Sequence, residues 1–327
     1  MNIINLLKNN FRRIAAQKAV IIVAIVIVPI MIVLGVLFSA KAQPKAQIAL
    51  VTRSIETFPK NDKVQIDVMN KKPAESKLLL GEYAAIVEEK NNGSYKVTTL
   101  KNKEDKKKIE EALKTGKITE TKKDKENERG TGTNVLGFVT IIVLMQGVAL
   151  TLLFTEDKSL NTFRRILTGP VSERQYILAQ GMFTFICLYV PTYIAIVITK
   201  ICFGVAIGFD LPMLAVLIAI LSLLSTSLAL FLGATIERET SLAATGIYTI
   251  TSILAGCFVS FTGSNKILDA ICKVIPQKAY MTMSQGIENG SSIFKFKGEL
   301  ICLFIWIIAL WLLGSFITNR KVKKGAY

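Results

Sequence analysis

The sequence predicts an α-helical polytopic membrane protein with six transmembrane helices and a small extracellular α/β domain inserted after the first helix. The 327-residue chain is 51% hydrophobic and has a mean hydropathy of +0.45. Its apolar residues form blocks of about 20 residues, long enough as helices to cross a hydrocarbon core of roughly 30 Å. The short segments rich in Lys and Arg all fall on one side of this topology, which is typical of cytoplasmic loops.

The net charge of +16 does not predict nucleic-acid binding in this chain. Much of the basic excess flanks apolar blocks, where it orients the helices and meets anionic head groups, so membrane lipids are the expected partners. The chain has no histidine, which excludes His-containing catalytic triads and His-ligated metal sites. Its five cysteines include no CxxC pair. These observations predict neither a disulfide framework nor a metal site, and because no other enzymatic constellation or cofactor motif is visible, we expect no enzymatic activity or bound cofactor in this chain.

Residues 1–18 are predicted to form an amphipathic helix on the cytoplasmic membrane surface. Apolar side chains recur along one face at helical spacing: Ile3, Ile4, Leu7, Phe11 and Ile14. A simple positively charged flank of the first span is the alternative. Residues 19–38 follow as that span, in which Pro29 predicts a kink because proline removes one backbone hydrogen bond.

Residues 39–133 are predicted to form the extracellular α/β domain and its linker. Strands are expected at residues 47–51, 64–69, 84–89 and 94–100, with a tight Asn-Asn-Gly turn between the last two. Helices are expected at residues 75–83 and 104–116, and alternating strands and helices are typical of α/β domains. The domain is rich in lysine, but long domains are translocated largely regardless of charge.

Residues 134–327 contain the other predicted spans, at Val135–Phe154, Tyr176–Ile198, Leu211–Leu232, Leu242–Phe261 and Glu299–Ile317. Residues 262–298 are amphipathic without a run long enough to cross a membrane, which predicts an extracellular interfacial segment. A basic tail at residues 320–324 places the C-terminus in the cytoplasm.

The hairpin Thr155–Gln180 joins the second and third predicted spans on the cytoplasmic side. A helix at about residues 156–172 is expected to present an apolar face and several cations to a partner. The apolar side chains are Leu160, Phe163, Ile166 and Leu167, and the cations are Lys158, Arg164 and Arg165. Pro170 is expected to end this helix and Ser172 to cap the next one. The alternative is an ordinary positively charged loop with a solvated helix.

These features resemble the permease subunits of ABC-2 type exporters, in particular the subgroup with a large extracellular domain between the first two spans. That family has a loop with an acidic residue, a threonine, basic residues and a Pro-Val/Leu-Ser step. The matching positions are Glu156, Asp157, Thr162, Arg164, Arg165, Pro170, Val171 and Ser172, and Asn161 stands where the family often has glycine. The segment Gly81–Glu89 and the Pro276-x-x-x-Tyr280 spacing also resemble the family, and the resemblance covers essentially the whole chain.

The resemblance implies a multi-pass protein of the bacterial plasma membrane with both termini in the cytoplasm. The sequence contains no G-x-x-x-x-G-K-[ST] phosphate loop, so ATP and Mg²⁺ are expected on a partner. The implied partners are two copies of a cytoplasmic ABC ATPase and a second permease chain, identical or homologous. Coupling to the ATPase is expected at Glu156, Asp157, Lys158, Leu160, Thr162, Phe163, Arg164, Arg165, Leu167, Pro170, Val171 and Ser172. An extracellular gate or exit is expected at Pro276 and Tyr280.

The predicted spans have no Asp, Glu, Lys or Arg deep in their cores, which favours a hydrophobic or amphipathic cargo over a proton-coupled route. Such a cargo would be a lipid, a peptide antibiotic or a drug, and sodium extrusion is the weaker alternative. Two other classes stay open. One is a membrane-anchored sensor or immunity protein whose extracellular domain binds a ligand without transport, and the other is a cell-envelope scaffold. A neighbouring gene for an ATPase would favour the exporter.

Overall fold

A computed structural model describes much of the chain in two compact units, one of residues 1–39 with 129–327 and one of residues 40–128. The described residues are 3–16, 26–41, 46–51, 64–69, 73, 85–89, 95–98, 129–160, 162–236, 240–257 and 272–324.

The smaller unit contains a four-stranded sheet with strand order β2-β1-β3-β4. The strands are β1 (Ala46–Val51), β2 (Val64–Met69), β3 (Ala85–Glu89) and β4 (Tyr95–Thr98). Strand β1 is parallel to both β2 and β3, whereas β3 and β4 are antiparallel. The four predicted strands are confirmed, while the helices expected at residues 75–83 and 104–116 lie outside the described residues.

The larger unit consists of helices and the turns between them in its described part. Its helices are α1 (Ile3–Ala16), α2 (Val28–Lys41), α3 (Thr131–Ser159), α4 (Thr162–Leu167), α5 (Glu173–Cys202), α6 (Leu211–Thr235), α7 (Thr240–Leu254), α8 (Pro276–Glu288) and α9 (Lys297–Lys323). A 3₁₀ turn at Ile293–Phe296 precedes α9. Four helices, α3, α5, α6 and α9, are long and apolar enough to cross a membrane. Four of the six predicted spans are thus supported, and α2 and α7 are apolar but shorter.

Helix α6 lies at the centre of this unit, where it contacts α3, α5, α7 and α9. It lies close to α3 at Gly147, where an added Cβ would lie 2.2 Å from the Oγ atom of Ser225. The same Ser225 hydroxyl donates a 2.7 Å hydrogen bond to the Val143 carbonyl. Small residues that let backbones approach, together with hydrogen bonds between helices, are what holds helices together in lipid.

We expect Gly147→Ala to lower the free energy of unfolding by about 1–3 kcal/mol, because the new methyl group overpacks the α3–α6 contact. The matched control is Gly246→Ala in α7, where no atom lies within 4 Å of the added Cβ. That control should be neutral or stabilising by up to about 1 kcal/mol through helix propensity. Thermal unfolding in detergent measures both, and equal midpoints for the two variants would contradict the packing argument.

The region after α7 differs from the sequence prediction. Helix α7 ends at Leu254 and residues 255–257 form a turn in which Gly256 has a φ of +75°, so the fifth predicted span does not reach Phe261 as a helix. Within the predicted interfacial segment 262–298, α8 packs against α3, α7 and α9 instead of lying on a surface. The buried residues of α8 are Gln277, Ala279, Tyr280, Met281, Met283, Ser284 and Ile287.

Candidate functional site

The hairpin Thr155–Gln180 consists of the end of α3, the short helix α4 and the first turns of α5. Helix α3 continues to Ser159, and the Leu160 N–H that follows donates to the Glu156 carbonyl at 2.9 Å. The expected single helix over residues 156–172 is therefore wrong, because its first residues extend α3 and α4 covers only Thr162–Leu167.

The start of α5 is fixed by a capping box. The Ser172 hydroxyl accepts a 3.3 Å hydrogen bond from the Gln175 N–H, and the Gln175 side chain accepts a 3.0 Å bond from the Ser172 N–H. The predicted cap at Ser172 is confirmed. Helix α4 ends before Pro170 is reached, and the proline keeps α4 and α5 separate because it disfavours helical geometry at Gly169.

Three aromatic rings join the elements of the hairpin. The Phe163 ring of α4 lies 5.7 Å from the Phe154 ring of α3 and 4.9 Å from the Tyr176 ring of α5, both edge to face. Such pairs add about 0.5–1.5 kcal/mol beyond the burial of their area. The Phe163 side chain is 0% exposed, and the half-buried Leu167 packs against the same cluster.

The apolar face expected for a partner is only partly accessible, because Phe163 is buried and Ile166 and Leu167 are half-buried. Phe163, Ile166 and Leu167 pack inside the chain, as does the buried Val171, whereas Leu160 is 64% exposed. The helical spacing identified the apolar side of the segment correctly, but this side is covered by α3 and α5.

A buried ion pair connects the hairpin to α1. The Arg13 guanidinium donates to Asp157 Oδ1 at 2.8 Å and to Glu156 Oε2 at 3.0 Å. Asp157 is 2% exposed, and its other oxygen accepts a hydrogen bond from the Tyr176 hydroxyl. Burial alone would lower the pKa of Arg13, but attraction to Asp157 and Glu156 outweighs it and raises the pKa. Because that pKa lies above its usual range, the pair keeps its full contribution to stability across neutral and mildly alkaline pH.

A second polar link also starts from α1. The Asn10 amide donates to Gln180 Oε1 at 2.9 Å, and the Gln180 amide donates to the Leu150 carbonyl of α3 at 3.2 Å. Next to it, the Phe11 and Phe183 rings meet edge to face at 5.0 Å. The buried face of α1 is Leu6, Asn10 and Ile14, and it packs on α5.

The predicted stripe of α1 thus differs from the buried face, since Ile4 is 68% exposed and Leu6 is buried. The sequence analysis missed Asn10, Arg13, Tyr176 and Gln180 as site residues. The position of Asn10 in the sequence could have indicated such a role. It is a polar residue four positions from both Leu6 and Ile14, so it lies on the apolar side of an amphipathic helix.

Two lysines connect the hairpin end of α3 and the end of α9 to the C-terminus of α6. The Lys158 ammonium donates to the Gly233 carbonyl and lies 4.3 Å from the centre of the Phe154 ring. The Lys321 ammonium donates to the Ala234 carbonyl at 3.0 Å. Cations bound to the last carbonyls of a helix also interact favourably with its dipole. Lys158 was expected to contact a partner, but its ammonium group forms a hydrogen bond within this chain.

The exposed part of the hairpin is basic. Arg164, Arg165 and Arg174, which we call the basic ridge, are exposed, as are Thr168, Gly169, Pro170 and Ser172. Thr162 is half-buried. The Glu156 carboxylate is also exposed but is paired with Arg13. This surface therefore suits an acidic partner surface.

The two residues expected at an extracellular gate lie apart from the hairpin. Pro276 occupies the first turn of α8, and Tyr280 is fully buried in the main core between the long helices. The hairpin residues form a different cluster around Phe163.

The fold and this site define a multi-pass membrane protein whose apolar helices are joined, at one end of the bundle, by a rigid basic hairpin. A family model described as ABC-2 family transporter protein matches residues 18–316. The chain therefore belongs to the ABC-2 transporter family, the membrane components of ABC transporters, and membership implies an ABC ATPase as partner. A comparison with curated proteins gave no match. Membership of the subgroup with a large extracellular domain stays a prediction.

Proposed function

We propose that this chain is the permease subunit of an exporter in which a separate ABC ATPase drives a hydrophobic or amphipathic substrate out of a bacterial cell. The substrate class is a lipid, a peptide antibiotic or a drug. The hairpin and both termini face the cytoplasm, and residues 40–128 lie outside. Two ATPase copies, which bind ATP and Mg²⁺, and a second permease chain, identical or homologous, complete the assembly.

The combination of an exposed basic ridge and a tightly bound interior in one hairpin supports this proposal best. The ridge is connected through Phe163 to α3 and α5, through Asp157 to α1, and through Lys158 to α6. A displacement applied to α4 is therefore passed to several helices at once. Transport by an ABC protein needs such a connection, because ATP is hydrolysed outside the membrane and the helices must move within it.

The expected coupling residues divide into two groups under this proposal. Leu160, Thr162, Arg164, Arg165, Pro170 and Ser172 contact the ATPase, together with Arg174. The buried or internally bonded side chains of Asp157, Lys158, Phe163, Leu167 and Val171 position that surface. Glu156 belongs to both groups, since its half-exposed carboxylate also holds Arg13.

The chemistry of the long helices supports an apolar substrate. Ionisable residues of α3, α5 and α9 lie near the helix ends, and α6 has none. Several buried hydroxyls, at Thr140, Thr151 and Ser227, donate to the carbonyl four residues earlier in their own helix. These three hydroxyls are thereby satisfied within their own helices.

Capture of the tagged full-length chain from its own membrane tests the proposal. We expect an ATPase with a phosphate loop to co-purify, and the reconstituted assembly to move a lipid or amphipathic compound when ATP is added. A chain that binds a ligand through residues 40–128, without any ATPase, would instead support the sensor or immunity function.

A further inference from the structure

A partly buried cation lies at the beginning of α3, at the opposite end from the hairpin. Arg129 directly precedes α3, and its Nη2 atom donates to the Gly256 carbonyl in the turn after α7. Its Nε and Nη1 atoms are buried and have no hydrogen-bond partner within the described ranges. Burial lowers the pKa of Arg129, although the neighbouring Cys257 and Glu288 oppose the shift. A guanidinium stays charged in proteins, so these two nitrogens need acceptor oxygens.

The carboxylate near Arg129 in the described residues, that of Glu288, already accepts hydrogen bonds from other groups. Glu288, the last residue of α8, accepts a 2.7 Å hydrogen bond from the Gly132 N–H and a 2.8 Å bond from the Thr133 N–H. Both of its oxygens thus satisfy the first N–H groups of α3, where a negative charge is also favoured by the helix dipole. No ion pair joins Glu288 to Arg129 in the described part of the structure.

Further donors surround the same place. The half-buried Lys278 of α8 lies within electrostatic range of Cys257, as Arg129 does. The hydroxyl of Thr133 is completely buried and has no hydrogen-bond partner among the residues that the structure describes. The turn itself is pressed onto α3, since a Cβ added to Gly137 would lie 2.1 Å from the Cys257 carbonyl oxygen. Two cations thus lie near Cys257, and the buried Nε and Nη1 atoms of one of them, Arg129, have no acceptor among the described residues.

We propose that Arg129 and Lys278 form a binding site for an anionic group, a phosphate or a carboxylate, between α3, α8 and the turn at Gly256. The planar guanidinium presents N–H groups that match two oxygens of either anion. Helix α3 has 29 residues and so extends about 44 Å from this site to the hairpin, which matches a bilayer with its head groups. The anion therefore lies at head-group level, where a lipid or an amphipathic molecule carries it with the apolar part along the helices. This site does not depend on ATP or on the ATPase.

Lipid binding to the purified full-length chain tests this site. The chain is reconstituted in nanodiscs of phosphatidylcholine with a minor fraction of phosphatidylglycerol, and the retained lipids are counted by native mass spectrometry. We expect retention of phosphatidylglycerol and a loss of about tenfold or more in its binding for Arg129→Gln, since one charge-assisted contact is removed. Lys278→Gln should give a smaller loss. The matched control is Lys273→Gln, which changes an exposed lysine five residues before Lys278, and it should change nothing.

Two further experiments complete the test. The first shows whether the site recognises the anionic group alone or the whole lipid, and the second shows whether a loss of binding is caused by misfolding. If inorganic phosphate displaces the lipid, the site recognises the anionic group itself, and no displacement indicates that the lipid as a whole is bound. Arg129→Lys keeps the charge and should keep part of the selectivity, and thermal midpoints show whether Arg129→Gln is folded. Equal phosphatidylglycerol binding by the folded Arg129→Gln variant and the unaltered chain would overturn the proposal.

Discussion

Reversing the charge of Arg164 and Arg165 should release the ATPase from this chain and abolish ATP-driven export. Both side chains are exposed on the basic ridge, so the double variant Arg164→Glu/Arg165→Glu replaces attraction to an acidic partner surface by repulsion. Like charges brought together across an interface cost several kcal/mol, and about 3 kcal/mol would weaken the Kd by more than a hundredfold. Co-purification of the ATPase and ATP-dependent transport in vesicles measure both effects.

The matched control for this variant is Arg320→Glu/Lys324→Glu, which reverses two exposed charges at the end of α9. It makes the same change in net charge and should leave most of the ATPase bound. Adding salt gives a second check on the electrostatic attraction between the ridge and the ATPase. Salt screens this attraction, because the Debye length falls from about 10 Å at 0.1 M salt to 3 Å at 1 M. A double hairpin variant that still binds the ATPase with unaltered affinity would show that the ridge is not the contact surface.

Replacing Asp157 by Asn should uncouple ATP hydrolysis from transport while the ATPase stays bound. The change removes a buried charge on which Arg13 and the Tyr176 hydroxyl converge, and breaking a buried pair typically costs about 3–5 kcal/mol. We expect the lower part of that range, because the Arg13 side chain is 27% exposed and partly screened by water. The loosened α1 would no longer follow the hairpin. Chemical unfolding measures the first effect, and the ratio of substrate moved to ATP hydrolysed measures the second.

A double-mutant cycle isolates the ion pair from other consequences of these substitutions. Arg13→Gln and Asp157→Asn should show a coupling energy of about 1–3 kcal/mol, since they remove the same contact. Arg12→Gln is the control, because Arg12 is the exposed neighbour of Arg13 on α1. Strict additivity of Arg13→Gln with Asp157→Asn would mean that the pair contributes nothing, and α1 would then be held by its apolar face and by the hydrogen bond from Asn10 to Gln180.

The sequence allowed the long helices, the strands and the cap at Ser172 to be predicted, because each depends on local pattern. Apolar runs determine α3, α5, α6 and α9, and the capping box is a contact between residues three apart. The partner of an apolar face is not a local property. Periodicity therefore showed that Phe163 lies on the apolar side of the hairpin but could not show that Phe154 and Tyr176 cover it.

Two other features could not be predicted for the same reason. Asp157 looked like an acidic residue of a solvated loop, and only the approach of α1 in space supplies Arg13 as its partner. Helix α8 lies in a segment predicted to be interfacial, because residues 262–298 contain no apolar run long enough to cross a membrane. In the fold Gln277 is buried, and its amide nitrogen donates to the Thr251 hydroxyl at 3.0 Å.

The contact between Glu288 and the first N–H groups of α3 has a consequence for how the bundle rearranges. Separating α8 from α3 would break the two short hydrogen bonds that the Glu288 carboxylate accepts and would leave the Gly132 and Thr133 N–H groups without acceptors. Gly130, Gly132 and Gly208 also pack so closely around this carboxylate that larger residues would not fit there. We therefore expect the α3–α8 contact to be kept when the bundle rearranges, so that the two helices move together.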